Sequence, residues 1–308
     1  MIQLSKERLT VLLAFAAIYI VWGSTYLAIW IGLNDIPPFL MSGLRFLVAG
    51  FILHIWCWCK GETFRGTQVI TRNTISGILM LVGGTVSVAW AEQYLSSSLA
   101  ATIVTILPFW FVLLDRPHWN FYFSHKAIIA GLILGFAGVI LLLGYGGNKS
   151  SSALGHSNQW LGVVVLLFGG IAWTVGSLYS KYKPAKSSLL ANASVQLLAS
   201  GFFCLLVSWL FGEWNHFAPD KIASSSWLAL LYLIVMGSIV TYLSYLYLLK
   251  KRSPAQVSSY VYINPVIALL LGSFIANESI TTLKIISLVI ILGGVLLVNL
   301  PRYTTRTT

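Results

Sequence analysis

Charge is what this chain has least of. Only 9% of its 308 residues are charged, eight acids against nineteen bases. Soluble domains carry about 25% charged residues, so a water-facing surface over most of the chain is excluded. Cysteine is scarce too: Cys57, Cys59 and Cys204 all lie in or at the end of apolar runs. That rules out a disulfide framework, and Cys57-x-Cys59 has no second Cys or His pair with which to build a metal site. No phosphate-binding Gly-x-x-x-x-Gly-Lys-Ser/Thr loop is present, which excludes ATP-driven work by this chain alone. His-Glu-x-x-His and Gly-x-Ser-x-Gly are missing as well, and His54, His118, His125, His156 and His216 are scattered at span ends and loops. No metal and no cofactor are expected.

Apolar residues dominate what remains, at 57% with a mean hydropathy of +0.84. Twelve Trp and fourteen Tyr suit two interfacial aromatic belts. The net charge of +11 does not indicate a nucleic-acid partner, because the bases form small groups between apolar runs. The first run, Thr10 to Leu33, follows Lys6 and Arg8 but is too long for a signal segment, so it is read as a retained span. Ten membrane spans are predicted, over 10–33, 38–59, 73–93, 97–114, 125–145, 159–180, 188–211, 226–249, 254–276 and 281–300. The Gly/Ser-rich stretch 146–158 reads as a linker between units 1–145 and 159–308. Of the nineteen bases, fifteen fall on one side of this arrangement. Lys149, Lys221 and Lys284 fall on the other, and Arg45 alone lies inside a span. The richer side is cytoplasmic by the positive-inside rule, which places both termini there.

The two units echo each other. Trp22-Gly23-Ser24 is matched by Val175-Gly176-Ser177, and Arg45 with Gly50 by Gln196 with Gly201. Ser97 to Pro108 is matched by Pro254 to Pro265, and all these pairs stand 151 to 157 residues apart. Five spans per unit is an odd number, so the copies must be oppositely oriented, the inverted-repeat plan of many secondary transporters.

Polar groups inside apolar spans are the functional candidates, since a charge at mid-bilayer costs at least ~2.5–3.5 kcal/mol. Arg45 lies ~10 Å from the end of the second span, within a cavity or snorkelling outward; both readings are open. Glu92 occupies the same leaflet, either as a partner that would offset both desolvation costs or as an interfacial acid. Together they are suited to the two ends of a zwitterion, or to proton exchange. Gln196, the echo of Arg45, keeps the length without the charge. Pro108 and Pro265 fall near mid-span, where a missing N–H kinks a helix and frees a carbonyl; Asn264 and Tyr260 add polar groups at that depth. Trp22, Ser24 and Tyr26, with Trp173, Ser177 and Tyr179, flank the repeated Gly-Ser, as cavity walls or as close helix packing. Gly131-x-x-x-Gly135 with Gly138, and Gly293-Gly294, mark smooth strips for packing within one molecule or across a dimer.

These residues carry a resemblance. The chain resembles the EamA-type branch of the drug/metabolite transporter superfamily over nearly its whole length. The likeness rests on Trp22-Gly23-Ser24, on Pro37-Pro38-Phe39 with Arg45-Phe46, and on Ala91-Glu92-Gln93-Tyr94. It rests further on the Ser97-to-Pro108 stretch and on Asn264-Pro265 followed by Glu278-Ser279-Ile280-Thr281. The resemblance implies an all-α, multi-pass protein of the bacterial inner membrane, two inverted five-helix repeats around a central cavity. It implies export of amino acids, related metabolites or toxic analogues by alternating access, driven by an ion gradient (protons included) or the solute's own gradient. By position it adds Gln93, Tyr94 and Tyr242 to Trp22, Trp173 and Tyr260 as cavity residues. The expected partners are a small-molecule substrate and membrane lipids, with the chain as a monomer or homodimer. Two departures stand out: Val175 at the Trp22 equivalent, and Asp115-Arg116-Pro117-His118-Trp119 after the fourth span. An exporter of drugs or cationic compounds is the alternative, and a membrane enzyme acting on a lipid-linked substrate lacks any recognisable nucleophile.

Overall fold

The computed structural model describes residues 6–62, 66–145, 158–252, 254–275 and 281–299. The 146–158 linker, apart from Asn158, and Glu278-Ser279-Ile280 lie outside the described residues. Among the described residues every regular element is a helix. We label them α1 (Glu7–Gly32), α2 (Pro38–Cys59), α3 (Thr67–Ala91), α4 (Ser97–Leu114) and α5 (Lys126–Tyr145). The series continues with α6 (Gln159–Tyr182), α7 (Leu189–Leu210), α8 (Ser224–Lys251), α9 (Ser258–Ile275) and α10 (Thr282–Asn299). Eight of these are long and apolar enough to cross a membrane, all but α5 and α10. The α5 stretch follows Arg116–Ser124 at a 97° bend, and α10 holds a shorter apolar core, Ile285–Gly294. The ten-span expectation therefore stands at eight, plus two helices at the predicted places.

Burial is inverted relative to a soluble protein. Leu13, Trp58, Phe168, Leu210 and Phe274 turn outward, while Arg45, Asn73, Glu92, Asp115 and Gln196 are buried. Apolar groups outside and engaged polar groups inside are what hydrocarbon demands.

Five of the ten helices are interrupted, and four of the interruptions come in corresponding places. Both α3 and α8 contain nine-residue π-helical stretches, Ile78–Val86 and Leu233–Thr241, 155 residues apart. In α4 the regular helix stops at Val104 and resumes at Leu107, one residue before Pro108. The first part of α9 is a 3₁₀ turn, Ser258–Tyr262, and its α-helix begins at Asn264, one residue before Pro265. The prolines thus start new helical segments where their missing N–H is not needed, a sharper break than the expected kink. A shorter π-helical stretch, Ala17–Val21, interrupts α1.

Packing carries the same correspondence. The main helix contacts are α2 with α7, α3 with α6, α5 with α10, α1 with α8 and α3 with α7, followed by α9 with α1 and α4. On α2, a Cβ on Gly50 would lie 2.9 Å from Leu198 Cγ; on α7, one on Gly201 would lie 2.7 Å from Leu47 Cγ. Each glycine receives the leucine of the other unit, so the two backbones approach closely at both points. At the helix ends, Glu213 accepts from the N–H of Phe39 (3.3 Å) and Leu40 (2.8 Å), satisfying the start of α2. Glu62, 151 residues earlier, accepts from Ser188, the N-cap of α7. The glycine strips resolve into contacts within one molecule: Gly294 seats on the backbone of Gly131 and Gly135, and Gly138 against Ile290 and Ile291.

Candidate functional site

The interruptions turn side chains toward a cavity of about 70 Å³ between α1, α2, α3, α4, α6 and α9. Val104 and Leu107 face it from the two sides of the α4 break, and Gly84, Thr85, Ser87 and Val88 from the end of the α3 π segment. Its walls are aromatic. The Trp22 ring centroid lies 5.4 Å from Trp173, 5.2 Å from Tyr245 and 4.9 Å from Tyr260. Trp173 and Tyr245 are 5.0 Å apart, and Tyr245 is anchored to Ser177 by a 2.7 Å hydrogen bond. Tilted and edge-on contacts of this kind hold rings rigidly.

Asn264 ties the broken helices together. With its amide nitrogen turned toward α1, an orientation assigned from the hydrogen-bond network, it donates to the carbonyls of Tyr19 (2.9 Å), Ile18 (3.2 Å) and Tyr260 (3.1 Å). Two of these belong to the α1 π segment and one to the 3₁₀ turn of α9, so one side chain satisfies carbonyls at both irregularities. Tyr19 and Ser259 add a 2.7 Å hydrogen bond across the same junction.

Arg45 lines this cavity and is 4% exposed. It is the only charged residue among the described lining. Its Nε donates to Ser238 Oγ at 2.6 Å, within the α8 π segment, and its guanidinium carbon lies 5.3 Å from the centroid of the Phe46 ring. A Cβ at Gly237 would lie 2.7 Å from Nη2, so glycine there leaves room for the guanidinium. The ion pairs among the described residues are His118–Asp115 and Lys251–Glu7, and Arg45 is in neither. With Nε fixed, the two Nη groups form an oriented fork that meets no protein acceptor among the described residues.

A second cavity of about 340 Å³ opens at the end of the bundle rich in lysine and arginine. Gln196 is placed here, 151 residues from Arg45 and docked against α3 as Arg45 docks against α8. Its Nε2 donates to Asn73 Oδ1 (3.1 Å) and Ser76 Oγ (3.0 Å), and its Oε1 accepts from Tyr242 at 2.6 Å.

Of the predicted site residues, Trp22, Arg45, Trp173, Tyr260 and Asn264 therefore share the first cavity, and Gln196 lines the second. Tyr242 backs Gln196 without lining either cavity. Ser24 bonds to Tyr232 at 2.5 Å and to the Val21 carbonyl, away from both cavities. Glu92 is fully buried at the end of α3 beside Tyr26, outside the lining. Gln93 folds back onto the Trp90 carbonyl at 3.1 Å, and the Tyr94 ring packs tilted against Trp90, centroids 4.8 Å apart. Pro108 and Pro265 are buried at the breaks. Sequence reasoning missed Ser238 and Tyr245. The i, i+3 spacing of Tyr242 and Tyr245 was a signal for the second; Ser238 carried none.

Apolar helices closing around an aromatic cavity with one oriented cation define a multi-pass membrane protein built to handle a solute. The EamA-like transporter family matches the chain twice, over residues 8–144 and again over 160–300. The chain belongs to the EamA-like transporter family. It is a transporter of the inner membrane, not an enzyme. The inner membrane transporter YedA of Escherichia coli (strain K12), itself uncharacterized, is 33% identical over 299 residues, covering 97% of this chain and 93% of that protein. The uncharacterized transporter YvbV of Bacillus subtilis (strain 168) is 27% identical, covering 96% and 93%. A crystal structure of a protein with 21% identity shares the fold at a TM-score of 0.66, covering 94% of this chain and 96% of that one.

Proposed function

We propose that the chain exports a small amphipathic solute bearing a carboxylate, an amino acid or a related metabolite or toxic analogue, from the bacterial cytoplasm. The observation that carries this is the Arg45 fork, oriented by Ser238 and left open toward a cavity walled by Trp22, Trp173 and Tyr260. A carboxylate would occupy the fork in bidentate fashion and the apolar remainder of the solute would lie on the rings. Burying Arg45 without an anion is costly, so a solute supplying one binds with a gain that a neutral solute lacks.

Alternating access between two inverted five-helix units is the proposed mechanism. Its support is the paired π stretches, the paired proline breaks and the reciprocal Gly50–Leu198 and Gly201–Leu47 contacts. Ten spans, with both termini and the basic ends cytoplasmic, give the orientation that the Lys and Arg distribution favours. Glu92, buried in the same half as Arg45, is the proposed proton-coupling carboxylate. A cationic-compound exporter fits less well, because the described lining presents a cation and no acid.

The test is a proteoliposome screen with radiolabelled amino acids and cationic dyes. Movement of carboxylate-bearing amphipathic solutes is expected. Movement of dyes alone, or of no solute by folded protein, would overturn the assignment.

A further inference from the structure

The second cavity has no part in the reading above. It is walled by α3, α6, α7 and α8 and by the segment 183–187. Four cationic residues line it, Arg72, Lys181, Lys183 and Lys250, and no acid is among the described lining. Positive groups at this end of a membrane protein are ordinary. Their fixation is not. Lys181 Nζ donates to the carbonyls of Leu249 and Arg252, both at 2.8 Å, at the end of α8 where carbonyls lack helical partners. An ammonium has three protons, so one remains for another acceptor. Arg72 Nη1 donates to the Pro184 carbonyl at 3.0 Å, which leaves most of its guanidinium donors. The acid felt by Lys181 is Asp115, and its carboxylate already takes His118 (2.9 Å), Tyr122 (2.8 Å) and Tyr182 (2.6 Å).

The deep end of the cavity is uncharged and already engaged. Gln196 gives both amide protons to Asn73 and Ser76, and Asn73 gives both of its own to the Val69 carbonyl and Asn192. An anion entering here therefore meets the cations near the mouth, while the amide protons of Gln196 and Asn73 beyond them are already given. A concave, low-dielectric wall lined by one sign of charge focuses that field inward.

We propose that this cavity is an anion-collecting vestibule, binding the carboxylate or phosphate group of a small molecule between Arg72, Lys181, Lys183 and Lys250. Arg72 and Lys181 are the fixed donors. Lys183, 5.7 Å from the Tyr179 ring centroid, and Lys250 supply the outer charge. The site is defined by its own cations and stands apart from the Arg45 assignment. Two sources offer the same chemistry, a free solute anion and a phospholipid headgroup, and the experiment separates them.

Ala185 lines the cavity. In the full chain with Cys59→Ser (Cys57 and Cys204 are buried), Ala185→Cys would be modified in detergent by anionic and by cationic methanethiosulfonates. The anion-to-cation rate ratio is expected about tenfold above that of free cysteine, falling about threefold in Lys183→Gln/Lys250→Gln and collapsing in high salt. Neither lysine makes a hydrogen bond among the described residues, so the double variant should elute as folded protein; Arg45→Gln should leave the ratio unchanged. Inorganic phosphate, against chloride at equal ionic strength, should slow modification if a free anion is the ligand. Phosphatidylglycerol bicelles, against phosphatidylcholine, should slow it if a headgroup is. A ratio equal to that of free cysteine, a ratio unmoved by the double variant, or protection by neither anion would overturn the proposal.

Discussion

The two cavities place repeat-equivalent residues in opposite chemical circumstances. Arg45 stands charged among rings, one nitrogen fixed and its fork open. Gln196 stands neutral with both its nitrogen and its oxygen engaged, and the cations of its cavity lie toward the rim. Both dock their helix against an interrupted partner, α8 for one and α3 for the other, so the scaffold role is shared. The difference is the unmet demand. A buried guanidinium without a carboxylate calls for a ligand, whereas a satisfied amide does not.

The largest test of that contrast is Arg45→Ala, expected to lower transport more than about 100-fold, since losing one partner of a buried charge pair costs ~2–5 kcal/mol. Size-exclusion elution should be unchanged, and Arg45→Lys should retain an intermediate rate because it keeps charge without the fork. Next in size, Trp22→Ala and Trp173→Ala should each raise KM about tenfold for aromatic solutes, through lost contact area and ring pairing. Gln196→Ala should cost only about threefold in rate, as a net hydrogen-bond loss of ~0.5–1.5 kcal/mol implies. Equal losses for Gln196→Ala and Arg45→Ala would erase the contrast. Smallest in transport, but informative for the scaffold, Gly50→Val and Gly201→Val should each destabilise by ~1–3 kcal/mol, and by similar amounts, in thermal unfolding. Glu92→Gln should leave binding intact and remove dependence on a pH gradient; retained pH-driven uptake would refute its coupling role.

Much of this architecture was legible in the chain. Apolar runs bounded by Lys and Arg located the helices, and the offset between Gly50 and Gly201 marked the echo of the two units, though not that each glycine receives the leucine of the other unit. Local sequence also marked the breaks, through Pro108 and Pro265. The π stretches were not legible. No residue type requires them, and they sit where α3 and α8 pack closely on other helices, as at Gly84 against Trp173 and Gly237 against Arg45. The partner of Arg45 was hidden for the same reason: Ser238 lies 193 residues away, and only tertiary packing brings them together. Depth alone leaves Glu92 as either a partner of Arg45 or an interfacial acid. Sharing a leaflet does not fix azimuth: Arg45 lines the cavity, and Glu92 is buried outside its described lining.

The central claim is that Arg45 reads the carboxylate of the transported solute. Intrinsic tryptophan fluorescence, through Trp22 and Trp173 beside the fork, can follow binding where transport is lost. The measurement compares the best-transported amino acid with its carboxamide, in wild type and in Arg45→Gln. The account predicts that wild type prefers the carboxylate by about tenfold or more, as ~1.4 kcal/mol of charge-assisted bonding implies, and that Arg45→Gln loses this preference. An unchanged preference in Arg45→Gln would contradict it.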